Sequence, residues 1–504
     1  MNKKLILPLI VIFFTNILFA QAPNIQWQRS YGGSKKDIAL CTKQTSDNGY
    51  ILAGYSESND GNLTLNHGNY DFWILKLDSN GNIEWQKSLG GSSYDIAQSI
   101  EQTFDGGYIV AGTSSSNDGD VTGNHGSEDY WVVKLDKDGN IEWQKSLGGS
   151  NIDSAFALSK TSDGGYIVAG ESYSNNATGK SDFWIVKLNH IGDVQWQKYL
   201  GGSSFETANS IKETFDKGYI VAGYSASNDG DVTGNHGSYD YWVVKLNNNG
   251  MIEWQKSLGG TGIDLANSVL QTSDEGYIVA GSSTSNNGDV TENRGSDDYW
   301  VVKLDKNGMI QWQKSLGGSD ADFTNTIYQT ATGDYIIAGV TLSNDGDINS
   351  YYGGNDIWVV KLDQNGSIKW QKSLGGSQDD LAFSIQQTSD DGYILAGNSN
   401  SSDGNITSNQ GNDDFWIVKL YSENLNIKET ALKNTVLVEN PVKDQLNIQS
   451  KERITSLQLY STDGKLIKTS KSKNMSVKEL SKGNYMLKIQ LENGKVISEK
   501  IIKE

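Results

Sequence analysis

Beyond its first twenty residues the chain alternates short β-branched and aromatic runs with connectors rich in glycine and aspartate, and it does so at a fixed spacing. The dipeptide Trp-Gln recurs at Trp27, Trp85, Trp143, Trp196, Trp254, Trp312 and Trp370. A second tryptophan series runs through Trp73, Trp131, Trp184, Trp242, Trp300, Trp358 and Trp416. Both keep a period of about 58 residues, shortened once to about 53, and together they use all 14 tryptophans. A fixed period of this length is the mark of a repeat architecture. One unit, 95–147, divides into runs A (DIAQSIEQT), B (YIVAGTSSS), C (DYWVVKLD) and D (NIEWQKSLG). Each is too short for a helix and ends in turn residues, with FDGG between A and B and KDG between C and D. The pattern predicts four antiparallel strands per unit and an all-β chain of seven such units, a seven-bladed β-propeller.

The ends of the repeat are complementary in phase. Its first piece is a lone D run at 25–30 and its last a lone C run at 415–420, so the N-terminal strand is expected to complete the last blade and cover its edge. On run A, Ala97 and Ser99, Ala155 and Ala157, and Ala266 and Ser268 are expected to share one face, with Ile100, Leu158 and Val269 on the other. The tryptophans, present in every copy, are expected to pack between blades. Cys41, the only cysteine, stands where other copies have Ser99 and Ser268 and reads as a small buried filler.

Before the repeat, Lys3 and Lys4 precede an apolar stretch running to about Ala20, the pattern of a secretory signal peptide (1–20) cut after Ala20 or Ala22. No later segment is apolar enough to span a bilayer. The net charge of −19 is uneven, with a strongly acidic middle and an excess of Lys in about the last 74 residues. An acidic body argues against nucleic acid as partner and leaves cations and neutral or basic partners.

The A–B and C–D turns fall on one side of the predicted disc, and the longer B–C loops and the D–A crossings on the other, where a binding surface is expected. In these loops oxygen-bearing side chains alternate: Asp118, Asp120, Thr122 and Asn124 before Asp129, and Asp229, Asp231, Thr233 and Asn235 before Asp240. The alternation resembles a calcium loop, with Gly123 and Gly234 at the sharp turn. Other copies replace that glycine with Leu65, Glu292, Ser350 or Ser408, and blade three has lost much of the loop. Ordinary turn chemistry explains the same residues and carries more weight than calcium, the one candidate cofactor. The aspartate before run C recurs in all seven copies, Asp71, Asp129, Asp182, Asp240, Asp298, Asp356 and Asp414, which favours a structural duty. Three of the four histidines, His67, His125 and His236, share one loop position and His190 lies in a turn. No catalytic constellation stands out from the repeat.

After Leu420 a polar linker (421–433) leads to a segment (434–504) whose alternation and DGK and NGK turns indicate a small immunoglobulin-like β-sandwich. It resembles the type A C-terminal sorting domain of the type IX secretion system. The residues that carry the likeness are Asn440, Pro441, Asp444, Leu446 and Ile448, then Asp463, Gly464 and Lys465, then Gly483, Tyr485, Leu487 and Ile489, and the closing Lys500 to Lys503. The blades (23–420) are similar to those of bacterial β-propeller repeat proteins with such tails. The resemblance implies recognition by the type IX translocon and a protein secreted or attached to the outer surface of the outer membrane. The expected function is non-enzymatic binding or adhesion, to a glycan or a protein, through the B–C and D–A loop face. The alternative is an extracellular polysaccharide-degrading or other propeller enzyme.

Overall fold

A computed structural model describes residues 21–503 apart from 64, 176–178, 424–435, 439–440, 451, 462–464 and 493–495. It resolves into two compact units, 1–423 and 424–504. The signal peptide with Ala20, most of the linker, Asn440, Asp463 and Gly464 lie outside the described residues.

The first unit is built from seven four-stranded antiparallel sheets. The second blade is typical: Asp95–Gln102, Tyr108–Ser114, Asp129–Leu135 and Ile141–Leu147 follow one another from the innermost strand A to the outermost strand D. The last blade takes its D strand from the other end of the chain, where Ile25–Tyr31 pairs antiparallel with Asp414–Leu420. The same phase complementarity shows in one side chain. In each blade the C-strand indole N–H donates to the D-strand glutamine, as Trp131 does to Gln144 at 2.9 Å, and Trp416 finds Gln28 of the N-terminal strand at 2.8 Å. That bond explains why glutamine follows every D-strand tryptophan. The tryptophan itself packs into the next blade: Trp85 meets Tyr108 edge-on at 5.6 Å and lies under Gly139 of the following C–D turn, where a Cβ would touch its ring. Gly139 has φ +79°, a backbone region that other residues enter at a cost.

Strands B and C are buried on both faces because each sheet is covered by a blade on either side. Trp73, Trp131, Trp242 and Trp300 have no exposed surface. Blade seven also bonds blade one, through Thr42 N–H to Ser384 Oγ at 3.2 Å. Cys41 is buried at the first blade junction, its Sγ 3.8 Å from the Ile100 carbonyl.

Strand A corrects one expectation. A β-bulge interrupts it in every blade, so Ala97 pairs with Gly112 but Ser99 with Ala111, neighbours that point to opposite sides. Ala97 and Ile100 therefore share the face toward blade one, and Ala155 and Leu158 the face toward blade two. Cys41 and Ala157, at the Ser99 position, face the following blade. The extra residue shifts the two-residue period by one, and simple alternation then assigns the faces wrongly.

The C-terminal unit holds a sheet of Val436–Val438, Gln445–Ser450 and Asn474–Ser476, and another of Leu466–Ser470, Ile454–Ser461, Gly483–Leu491 and Val496–Lys503. Leu446, Ile448 and Met475 from the first pack with Leu457, Leu459, Leu487 and Ile489 from the second in one core. Of the sorting residues, Leu446 is fully buried, Tyr485 is half-buried with its hydroxyl donating to the Ser481 carbonyl at 2.8 Å, and Pro441, Asp444, Lys465 and Gly483 are exposed.

Candidate binding faces of the propeller

The two faces of the propeller carry opposite electrostatic devices. On the turn face, the strand-C lysine of each blade is buried: Lys76, Lys134, Lys187, Lys245, Lys303, Lys361 and Lys419. Lys245 Nζ lies 2.9 Å from Asp216 of the A–B turn and 2.9 Å from Glu253 of strand D, and also donates to the Leu246 carbonyl. Burial tends to raise the turn carboxyls. The neighbouring hydroxyl, lysine and amide outweigh it and hold Asp47, Asp105 and Asp163 at about 2. These lysines and their aspartates escaped the sequence reading, although the KL of every C run and the D of every A–B turn were in view. Clefts of about 500 Å³ open beside two of them, one lined by Asp163, Lys187, Trp196 and Tyr219 and the other by Asp216, Lys245, Trp254 and Tyr277.

On the loop face the expected calcium ligands turn inward to the backbone. Asp118 Oδ1 accepts from Ser92 N at 2.7 Å and Asp120 from Gly90 N at 3.2 Å. Thr122 accepts from Gln144, and Asn124 bridges the Ser114 carbonyl at 3.0 Å and the Gly126 amide at 2.9 Å. Blade four repeats this: Asp229 takes Ser203 N at 2.8 Å, Asp231 takes Gly201 N at 3.3 Å, Thr233 accepts from Gln255, and Asn235 reaches the Ser225 carbonyl at 2.9 Å. The loop thus clasps the D–A crossing. Among the described residues no three His, Cys, Asp or Glu side chains gather as a metal group.

Asp129 and Asp240 are fully buried, each accepting from a histidine, His125 or His236, at 2.7 Å from Nδ1. The other oxygen of Asp129 has no hydrogen bond, and the charge of Asp153 at the start of the next blade acts on it. Such pairs recur at Asp71 with Asp95, Asp298 with Asp322, Asp356 with Asp380, and Asp414 with Asp37. Burial and the second carboxyl raise Asp298 and Asp414 to about 6 and Asp356 to about 7. The first glycine of the crossing fits between the two carboxyls. A Cβ on Gly90 would lie 2.6 Å from Asp95 Oδ2 and 2.7 Å from Asp71 Oδ1, too close for any other residue.

Around the axis on this face the repeat breaks down. The residue preceding strand A is Lys36, Tyr94, Ile152, Phe205, Ile263, Ala321 or Asp379. Tyr94 is 48% exposed and stacks edge-on with Tyr70 at 5.1 Å, which in turn meets Tyr55 at 4.9 Å. Further round, Lys180 sits 3.9 Å above Phe205, and Tyr224 meets Tyr239 at 5.4 Å. Blade seven instead offers Asp379, Asn400 and Asp413, the last accepting from the buried Asn398 at 2.8 Å. This half-exposed aromatic arc was missed because attention went to positions that repeat; comparing copies for the column that does not repeat would have found it.

The first unit is thus a seven-bladed β-propeller by its sheets and pairing. Residues 440–504 match the family described as the secretion system C-terminal sorting domain, so the chain is cargo of type IX secretion, exported to the cell surface or released. Over 159 residues the chain is 26% identical to the Regulatory protein FlaEY of Caulobacter vibrioides, a match spanning 28% of this chain and only 17% of that protein. Among solved structures it is similar to BBS1N crystallised with ARL6DN (10% identity, 79% of this chain and 96% of that one, TM-score 0.43). It is also similar to Sqt1 from Chaetomium thermophilum (10%, 80% and 100%, 0.40) and to puromycin hydrolase (8%, 94% and 63%, 0.43). At that distance the propeller assignment rests on the seven sheets themselves.

Proposed function

We propose that the exported chain is a non-enzymatic binding and adhesion module that takes an extracellular glycan on its loop face. The supporting observation is the arc of Tyr55, Tyr70, Tyr94, Phe205, Tyr224 and Tyr239 around the axis, exposed or half-buried, with Glu57 and Glu128 among them. Rings of this kind cover the apolar faces of sugars while carboxylates accept from their hydroxyls. Affinity electrophoresis of the full chain through gels cast with neutral polysaccharides tests the reading. Retardation that disappears in a Tyr94→Ala/Phe205→Ala variant supports it; unchanged mobility in every gel overturns it.

A second reading, a polysaccharide-cleaving enzyme, draws on Glu171. Burial raises its carboxyl, and it accepts from Thr207 at 2.6 Å while feeling the charge of Glu128 on the neighbouring blade. Two carboxyls with unlike environments are what glycoside hydrolysis uses. Release of reducing ends by the wild-type chain, lost in Glu171→Gln, would favour this reading over simple binding.

A further inference from the structure

The tyrosine that opens strand B recurs in all seven blades, from Tyr50 to Tyr393, and is buried against the D-strand tryptophan of the preceding blade. Among the described residues only Tyr393 engages its hydroxyl in hydrogen bonds. Its partner is Glu423, just past the last strand of the propeller. The Glu423 carboxylate accepts from the Tyr393 hydroxyl and from Lys361 Nζ, each at 2.5 Å, and the ammonium and the phenol oxygen lie 3.3 Å apart. A buried lysine of one blade and the tyrosine of the next thus make a seat for a carboxylate, filled at the junction of blades six and seven by the chain's own glutamate.

The junction of blades three and four carries the same pair without such a glutamate. Lys187 and Tyr219 line the cleft of about 500 Å³ there, and Trp196, 5.7 Å from Tyr219, forms its wall. Lys187 meets one carboxylate, Asp163 at 3.0 Å, and the neutral Gln195. Lys76, Lys134 and Lys245 each meet an Asp and a Glu, and Lys361 meets Asp334 and Glu423. Tyr219 is 3% exposed, and its hydroxyl has no hydrogen bond among the described residues. At the rim stands Lys217, exposed, held at φ +68° and without an ion pair among the described residues. No other blade places a lysine at this turn position. The remaining acid of the cleft, Glu213, is taken up by the Ser162 amide at 3.0 Å and hydroxyl at 2.9 Å. The neighbouring cleft has Lys245 and Tyr277 in the same places, but Asp216, Glu253 and Glu275 outnumber Lys245 and Lys306, and its net negative charge repels an anion.

We propose that the cleft between blades three and four binds a glutamate side chain of an acidic peptide, its carboxylate accepting from Tyr219 and Lys187 beside Lys217 and its stem lying along Trp196. The occupant is read from Glu423, a glutamate side chain seated on the equivalent lysine and tyrosine of the same protein. A second carboxylate gives Lys187 the pair that Lys361 already has, and Lys217 balances the added charge. The cleft opens on the turn face, opposite the aromatic arc, so the proposal stands or falls independently of glycan binding there.

The test is a saturation-transfer NMR titration of the full chain with the blocked peptide acetyl-Tyr-Ser-Glu-amide, copied from residues 421–423, and with its glutamine analogue. The glutamate peptide is expected to bind at least about tenfold more tightly than the analogue. Tyr219→Phe should weaken it about tenfold with an unchanged melting temperature, and Tyr277→Phe, in the neighbouring cleft, should leave it unchanged. Lys217→Gln, on an exposed turn, should weaken it about threefold and keeps the test decisive if Tyr219→Phe lowers the melting temperature. No binding, equal binding of the two peptides, or unchanged binding by both Tyr219→Phe and Lys217→Gln would each overturn the proposal. Trigalacturonate binding more tightly than the peptide, and lost in Tyr219→Phe, would overturn it in favour of an acidic glycan.

Discussion

The turn face and the loop face of this propeller solve the same problem, fixing a connector to a blade edge, with opposite charge logic. On the turn face a buried lysine draws a carboxylate, as Lys245 draws Asp216, and the ionised form is favoured. On the loop face two buried carboxyls of adjacent blades face each other across a glycine, as Asp356 and Asp380 do across Gly375, and ionisation is resisted. The lesson is that burial alone does not decide a carboxyl's behaviour; its neighbour does.

The comparison can be broken most forcefully at the glycine wedge. Gly90→Ala should destabilise the chain by about 3 kcal/mol, because the new methyl meets two carboxyls that cannot withdraw. Gly123→Ala, at φ +81° but with open space around it, should cost only about 1 kcal/mol. Urea unfolding of the two variants compares them directly.

Next in size is the buried cation. Lys245→Ala should cost about 2 kcal/mol through the lost stem and ion pair, while Lys245→Met, which fills the same space without charge, should recover most of that loss. Equal destabilisation by both would show that the charge, and not the packing, holds the turn.

The two faces also predict opposite pH responses. Asp298, Asp356 and Asp414 bind protons more tightly folded, at about 6 to 7, than at the ordinary value of 3.8. Their contribution is therefore fully favourable at low pH and stability falls as pH rises from about 4 to about 7. Asp47, Asp105 and Asp163 sit at about 2 folded, so the stability they confer is present above about 4 and is lost as pH falls toward 2. Melting temperature should peak between pH 4 and 5. Asp356→Asn should raise stability at pH 8 by about 1 kcal/mol and flatten the alkaline limb; a variant with an unchanged limb would assign that slope elsewhere.

The smallest effect is expected at the A–B turn, where Lys217 adopts φ +68° in a position that is glycine in three other blades. Lys217→Gly should stabilise by about 0.5 kcal/mol.

Much of this architecture was legible in advance. Strand lengths, the A–B and C–D turns, the D strand lent by residues 25–31, and the architectural duty of the paired tryptophans follow from local pattern and period. The aspartate before strand C was visible as a repeated position; that Asp129 accepts from the His125 amide and feels the carboxyl of Asp153 was not foreseen. The faces of strand A were misread because a bulge leaves no mark in composition: Gln98 looks like any other strand residue.

What the sequence determined by itself is whatever repeats or lies within a few residues along the chain, because turn chemistry and side-chain alternation act locally and identical units must fold alike. Tertiary structure alone decided which residues meet across a junction. Asp71 and Asp95 face each other because adjacent blades are stacked, and Lys43 reaches Glu101 because neighbouring innermost strands lie side by side. Those distances are set by the packing of whole sheets, to which no short stretch of sequence holds the key.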